Sequence, residues 1–218
     1  MKRGLRTAAA AAVMLGVTGC SSGQSGVPAL DGAAPAPSLT GPYRLQTPAT
    51  LLNGTFTESD HSEPDQGIAT RLSGQIDKGV SAFAAYRPTD AKSEHEGPVL
   101  AVTGVYGTVL NPVTARDQFL EIADSRLMEG ARSTVIIGPR TITPQGFSEP
   151  VFCRIVQETS EFGTTWGPSC AWADGSAVAE VAETVDRSTA KDPAEFDLEA
   201  FAVKTATIRN EVRIPVTP

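Results

Sequence analysis

Only two histidines occur in the 218 residues, His61 and His95. A Ser-His-Asp or Cys-His centre would have to use one of them. Both fall in charged, polar stretches, Asp60-His61-Ser62-Glu63 and Glu94-His95-Glu96, which read as solvated loops. Glu94, His95 and Glu96 are consecutive, so their side chains diverge rather than converge on a metal. The chain has no H-E-x-x-H, no P-loop and no G-x-S-x-G elbow. Carboxylates are plentiful, yet no pair has a spacing that singles it out for acid–base work. The expectation is a non-enzymatic protein with no catalytic residue, no metal and no cofactor.

Basic side chains are also in short supply: 18 Lys and Arg stand against 25 Asp and Glu. Three of the 18, Lys2, Arg3 and Arg6, lie in the first six residues. Such an acidic balance lacks the electrostatic footprint of a nucleic-acid binder. It also disfavours attachment to anionic headgroups through a basic surface. The longest apolar run, Thr7 to Val17, is too short to cross a hydrocarbon core, which needs about 20 apolar residues.

What the N-terminus does carry is an ordered set of signals. A basic start, an apolar core of about ten residues and a small-residue site form a secretory signal. The stretch Val17-Thr18-Gly19-Cys20 closes it and resembles the lipobox of bacterial lipoproteins, with Thr18 in place of the usual alanine or serine. The resemblance implies removal of residues 1–19 and diacylation of Cys20, which becomes the first residue of the mature chain. It implies a cell-membrane protein on the extracytoplasmic face, carrying a fatty-acyl modification such as palmitate. Two acyl chains suffice for stable anchoring. The competing reading is ordinary signal cleavage that leaves Cys20 a free thiol. With the signal removed, fifteen basic residues face 25 acidic ones, a formal charge of −10.

Of three cysteines, Cys20 is used by the anchor, which leaves Cys153 and Cys170 as an even pair in an oxidising compartment. The spacing is not C-x-x-C, and no further sulfur or nearby histidine completes a zinc site. A disulfide closing the sixteen intervening residues is expected, worth about 3 kcal/mol on a chain-entropy estimate.

Residues 20–41 are dominated by Gly, Ser, Ala and Pro without apolar period and read as a flexible tether. Its mean reach as a coil is about 25 Å. Residues 42–218 are expected to form one extracytoplasmic domain. A short strand is expected at Tyr43–Gln46 and an exposed polar stretch at Thr55–Asp60. A first helix is capped by Ser62 and places Ile68, Leu72 and Ile76 on one face before Gly79. Strands at Val80–Arg87 and Val99–Val109 should form a hairpin with a long loop. Asn111-Pro112 opens a second helix with Phe119, Leu120, Ala123 and Leu127 on its inner face. Thr134–Ile137 and Val151–Gln157 read as strands, and Ser160–Pro168 as a loop. Asp174-Gly175 turns a hairpin between Cys170–Ala173 and Ala177–Glu183. In the final helix Asp192 caps, Pro193 follows and Glu195 completes a capping box. Leu198, Phe201, Thr205, Ile208 and Val212 form its buried stripe, with Lys204 and Arg209 outside.

The order gives an α+β domain, a mainly antiparallel sheet of about six strands with three helices. Strand–strand–helix patterns around Val102–Leu127 and Val178–Ile208 suggest two ββα units. Cys153, the run Cys170-Ala171-Trp172-Ala173-Asp174 and the valine-rich strand after it resemble small lipoproteins and anchored extracytoplasmic domains of actinobacteria. That resemblance spans roughly Val80 to Arg213 and implies location but no activity. A PsbP-like fold is the analogy for this element order, and analogy of fold implies no function.

Trp166 and Trp172 flank the second cysteine and are the candidate binding residues, as an aromatic platform for a sugar or peptide. The alternative reading packs Trp172 against the disulfide and lays Trp166 over the loop. The function expected is that of a lipid-anchored module binding a protein, peptide or envelope component. A small-molecule or lipid carrier with a cavity lined by Phe83, Tyr106, Phe152 and Phe201, or a secreted envelope hydrolase, are the alternatives.

Overall fold

Alternation of side chains along the strands sorts the buried residues into two cores, one on each face of a single large sheet. The computed structural model describes residues 42–60, 62–93, 97–125, 132–160, 163–184 and 192–216. The chain divides into two units, Met1–Ala33 and Ala34–Pro218, and all described residues lie in the second. Cys20, His61, His95, Leu127 and Gly130 lie outside them.

In chain order the strands are β1 (Tyr43–Leu45), β2 (Thr50–Leu51), β3 (Phe56–Asp60), β4 (Ile76–Pro88), β5 (Val99–Val109), β6 (Arg132–Ile142), β7 (Val151–Ser160), β8 (Gly163–Ala173), β9 (Ala177–Thr184) and β10 (Arg213–Pro215). The helices are α1 (Gln66–Arg71), α2 (Pro112–Ser125) and α3 (Leu198–Val212), with one 3-10 turn at Pro193–Glu195. Eight strands form one antiparallel sheet in the order β2-β3-β4-β5-β9-β8-β7-β6, and β1 pairs with β10 beside it.

On one face Leu100, Val102, Cys153, Ile155, Cys170, Trp172, Ala179 and Val181 meet Leu198, Phe201, Ile208 and Val212 of α3 and Tyr43 and Leu45 of β1. On the other face Val105, Val109, Ala171 and Val178 meet Ile68 of α1 and Ala115, Phe119, Leu120 and Ile122 of α2. Ala171 and Val178 belong to one core while their neighbours Cys170, Trp172 and Ala179 belong to the other, the period of two that a strand imposes. Gly104 is required where β1 crosses the sheet: a Cβ there would stand 2.6 Å from both Ala179 and Leu45.

The α+β class and mainly antiparallel sheet stand, but the strands number ten among the described residues rather than about six. Thr55–Asp60, read as an exposed stretch, supplies β3. Ser160–Pro168, read as a loop, supplies the first half of β8. Pro168 is tolerated because β8 pairs with β9 only from Ser169 onward, so no donor is needed on that side earlier. β6 runs on past Ile137 through two register shifts around Pro139. The first helix is shorter than its periodicity implied. Asp65, not Ser62, is its cap, and Ile76 already belongs to β4 while sharing the same core as Ile68 and Leu72. The two ββα patterns do not repeat one packing, because α2 and α3 lie on opposite faces.

The last helix also differs at its start. Asp192 accepts a bond from Ala194 N (2.9 Å) but caps only the 3-10 turn. Phe196 is extended, and Asp197 is the true cap, accepting from Ala200 N at 3.0 Å. The stripe of Leu198, Phe201, Thr205, Ile208 and Val212 is buried as its spacing implied. Arg209 is not outside: it is 2% exposed. Among the described residues no helix is long and apolar enough to cross a membrane.

Candidate functional site

α2 covers only part of its sheet face. At its last turn, β7, β8 and β9 present polar side chains to α2. Arg154 on β7 sits opposite Ser169 on β8, and Glu180 lies on β9 beside them; all three are buried. Asp124, in the last turn of α2, meets the guanidinium with two parallel bonds, from Nη1 at 2.7 Å and Nη2 at 2.8 Å. Nη2 also donates to Glu180 at 3.2 Å. The Ser169 hydroxyl donates to Glu180. Bidentate geometry of this kind fixes orientation as well as charge. Burial alone would lower the Arg154 pKa, but the bond to Asp124 and the charges of Glu180 and Asp124 raise it.

Around this cluster lies a cleft of about 90 Å³, lined by Asp124, Arg154, Glu158, Trp166, Ser169 and Glu180 among others. That is room for several waters or for one ammonium or guanidinium tip. Among the described residues three carboxylates face one arginine here, an excess of negative charge. Glu158 receives the consequence: the residue is exposed at the cleft mouth, yet partial desolvation of its carboxyl, then the charges of Glu180 and Asp124, push its pKa up. Gly167 makes the cleft wall possible, since a Cβ there would fall 1.9 Å from the Glu183 carbonyl oxygen.

The two tryptophans share one face of β8. Trp166 borders the cleft but is half-buried against the α3-side core, two strand steps of two from Cys170. Trp172 is 2% exposed in the α3-side core, in the same cluster as Cys153 and Cys170, and its indole N–H has no partner among the described residues. The disulfide joins Cys153 and Cys170, directly opposed on β7 and β8 with Cα atoms 4.1 Å apart. The aromatics of the carrier reading do not gather: Phe83 and Tyr106 line a groove by β4, Phe152 lies against α2, and Phe201 is in the opposite core. Among the described residues no group of three His, Cys, Asp or Glu is placed to hold a metal.

Arg154, Asp124, Glu158, Ser169 and Glu180 were not singled out from the sequence. A signal exists for two of them. Val151-Phe-Cys-Arg-Ile-Val and Ala177-Val-Ala-Glu-Val-Ala each hold one charge within an apolar strand. A charge buried in such a strand demands a partner of opposite sign.

A second charged cluster lies on the other face, at the opposite end of β9. Arg213 donates to Glu149 at 2.8 Å and to Asp174 at 2.5 Å, under the ring of Tyr43 at 4.4 Å. Arg209, 3.5 Å from Glu149, is lowered to about 10 by burial and by the nearby Arg213. Asp174 also accepts bonds from Ser176 N and Ala177 N, so the hairpin turn is tied to the chain end. Compared with protein-family models, curated proteins and solved structures, the chain matches none of them.

Proposed function

We propose that this is a non-enzymatic, lipid-anchored extracytoplasmic module, held on the membrane through Cys20. Its ligand is a peptide or protein segment of the cell envelope that inserts a lysine or arginine tip beside Glu158. The observation that carries the binding site is the unbalanced charge of the Arg154 cleft. Asp124 and Glu180 are already paired with Arg154, which leaves Glu158 facing them without a cation among the described residues. A carboxyl perturbed by desolvation and by named charges in a cleft is a functional-site candidate. The Val17–Cys20 stretch supports the anchor, and the Cys153–Cys170 bridge is at home in the oxidising compartment that an anchor implies.

The test has two arms. Mass spectrometry of the mature N-terminus should find a diacylated Cys20; an unmodified start elsewhere removes the anchor. Titration of Trp166 fluorescence with Gly-Lys-Gly and Gly-Arg-Gly should saturate, while Gly-Glu-Gly should not. Glu158→Gln should weaken the basic peptides at least several-fold. Equal response to basic and acidic peptides removes the cleft as the site.

A further inference from the structure

We infer that the end of the sheet where the described chain begins is a membrane-docking surface, with the lipid leaflet as its partner. The inference rests on the anchor reading above. Six large apolar side chains are exposed among the described residues, and three of them gather at this end: Leu110 at 66%, Val113 at 60% and Val216 at 48%. Backbone bonds place them. Leu110 follows Val109, whose N–H donates to Gly175 of the hairpin turn at 3.1 Å. Val113 lies in the first turn of α2. Val216 N donates to Pro42 O at 3.0 Å, where the tether joins the domain.

Exposed valines scattered singly would need no explanation. These three lie at the end of the sheet where the described chain begins, and Cys20 is twenty-two residues upstream of Pro42. On the compositional reading of residues 20–41 as a flexible coil, that length corresponds to a mean reach of about 25 Å. Such a tether therefore holds this end at high effective concentration near the leaflet, and a contact too weak to bind on its own becomes occupied. Charge does not oppose it. The carboxylates beside Pro42, Glu149 and Asp174, are neutralised by Arg213 and Arg209, although the mature chain as a whole is acidic. Isolated Leu and Val side chains at such a rim sink into the headgroup boundary without spanning it.

The experiment uses the full mature, acylated protein in phosphatidylcholine vesicles with brominated acyl chains, which quench tryptophan on contact. Leu110→Trp and Val113→Trp should lose emission several-fold relative to unbrominated vesicles. Thr184→Trp, exposed at the far end of β9, and the native protein should not. Quenching that is absent at Leu110→Trp and Val113→Trp, or equal at both ends, overturns the docking surface. Vesicle flotation separates the two readings: protein that floats but is unquenched keeps its anchor and loses the docking face, and protein that fails to float loses both.

Discussion

Glu158 shows what a single carboxyl costs when its neighbours share its sign. Its proton is held in the folded protein at pH values where the unfolded chain, with a glutamate pKa of about 4.3, has released it. Between that value and the raised folded one the native state binds more protons, so stability falls as pH rises and the loss is complete above the folded pKa. Glu158→Gln should therefore raise Tm at pH 7 and change it little at about pH 3.5, where both forms are largely neutral. Equal gains at the two pH values would mean that packing, not titration, sets the effect. The same charge that makes the cleft attractive to a cation thus carries a stability cost that a bound lysine tip would remove. Arg154 is the opposite case, since its acidic neighbours favour its charged form.

At the scale of elements, α3 carries the clearest test. Phe201 is 4% exposed within the α3-side core, so Phe201→Ala should cost about 3–5 kcal/mol through the cavity it leaves. Asp197→Ala should cost about 0.5–2 kcal/mol by uncapping the helix. Asp192→Ala should cost less than either, because Asp192 serves only one 3-10 turn. Urea melts of the three variants would order them, and a Phe201→Ala loss no larger than that of Asp197→Ala would contradict the packing. The stripe of α3, the Val99–Val109 strand and the Asp174-Gly175 hairpin were legible because period and turn chemistry act locally. The start of α3 was not: Asp192-Pro193-Ala-Glu195 and Asp197 offer two caps in succession, and the extended Phe196 between them decides. Arg209 was misplaced because its helical position faces the β7 end, where the carbonyls of Glu149 and Pro150 receive it at 3.3 and 3.4 Å. Arg154, Ser169 and Glu180 come together only through the register of three strands, and Asp124 only through the docking of α2. No local pattern contains that information.

For the whole molecule, one covalent link joins β7 to β8 in a sheet whose other contacts are non-covalent. Reducing it reopens a loop of sixteen residues in the unfolded chain, so the reduced protein should be less stable by about 3 kcal/mol. Paired urea melts with and without reductant would measure this, and coincident curves would show that strand pairing alone sets stability. The placement of the chain ends has a mechanical consequence. β1 and β10 pair antiparallel through Tyr43↔Pro215, Arg44↔Ile214 and Leu45↔Arg213, and the described chain enters at Pro42 near one end of β9, while the Arg154 cleft starts at Glu180, about 10 Å along the strand, and continues toward its other end. A pull between a held ligand and the anchor would run along the strands rather than across them. The three β1–β10 pairs would then meet the force together, in shear, instead of opening one after another like a zip.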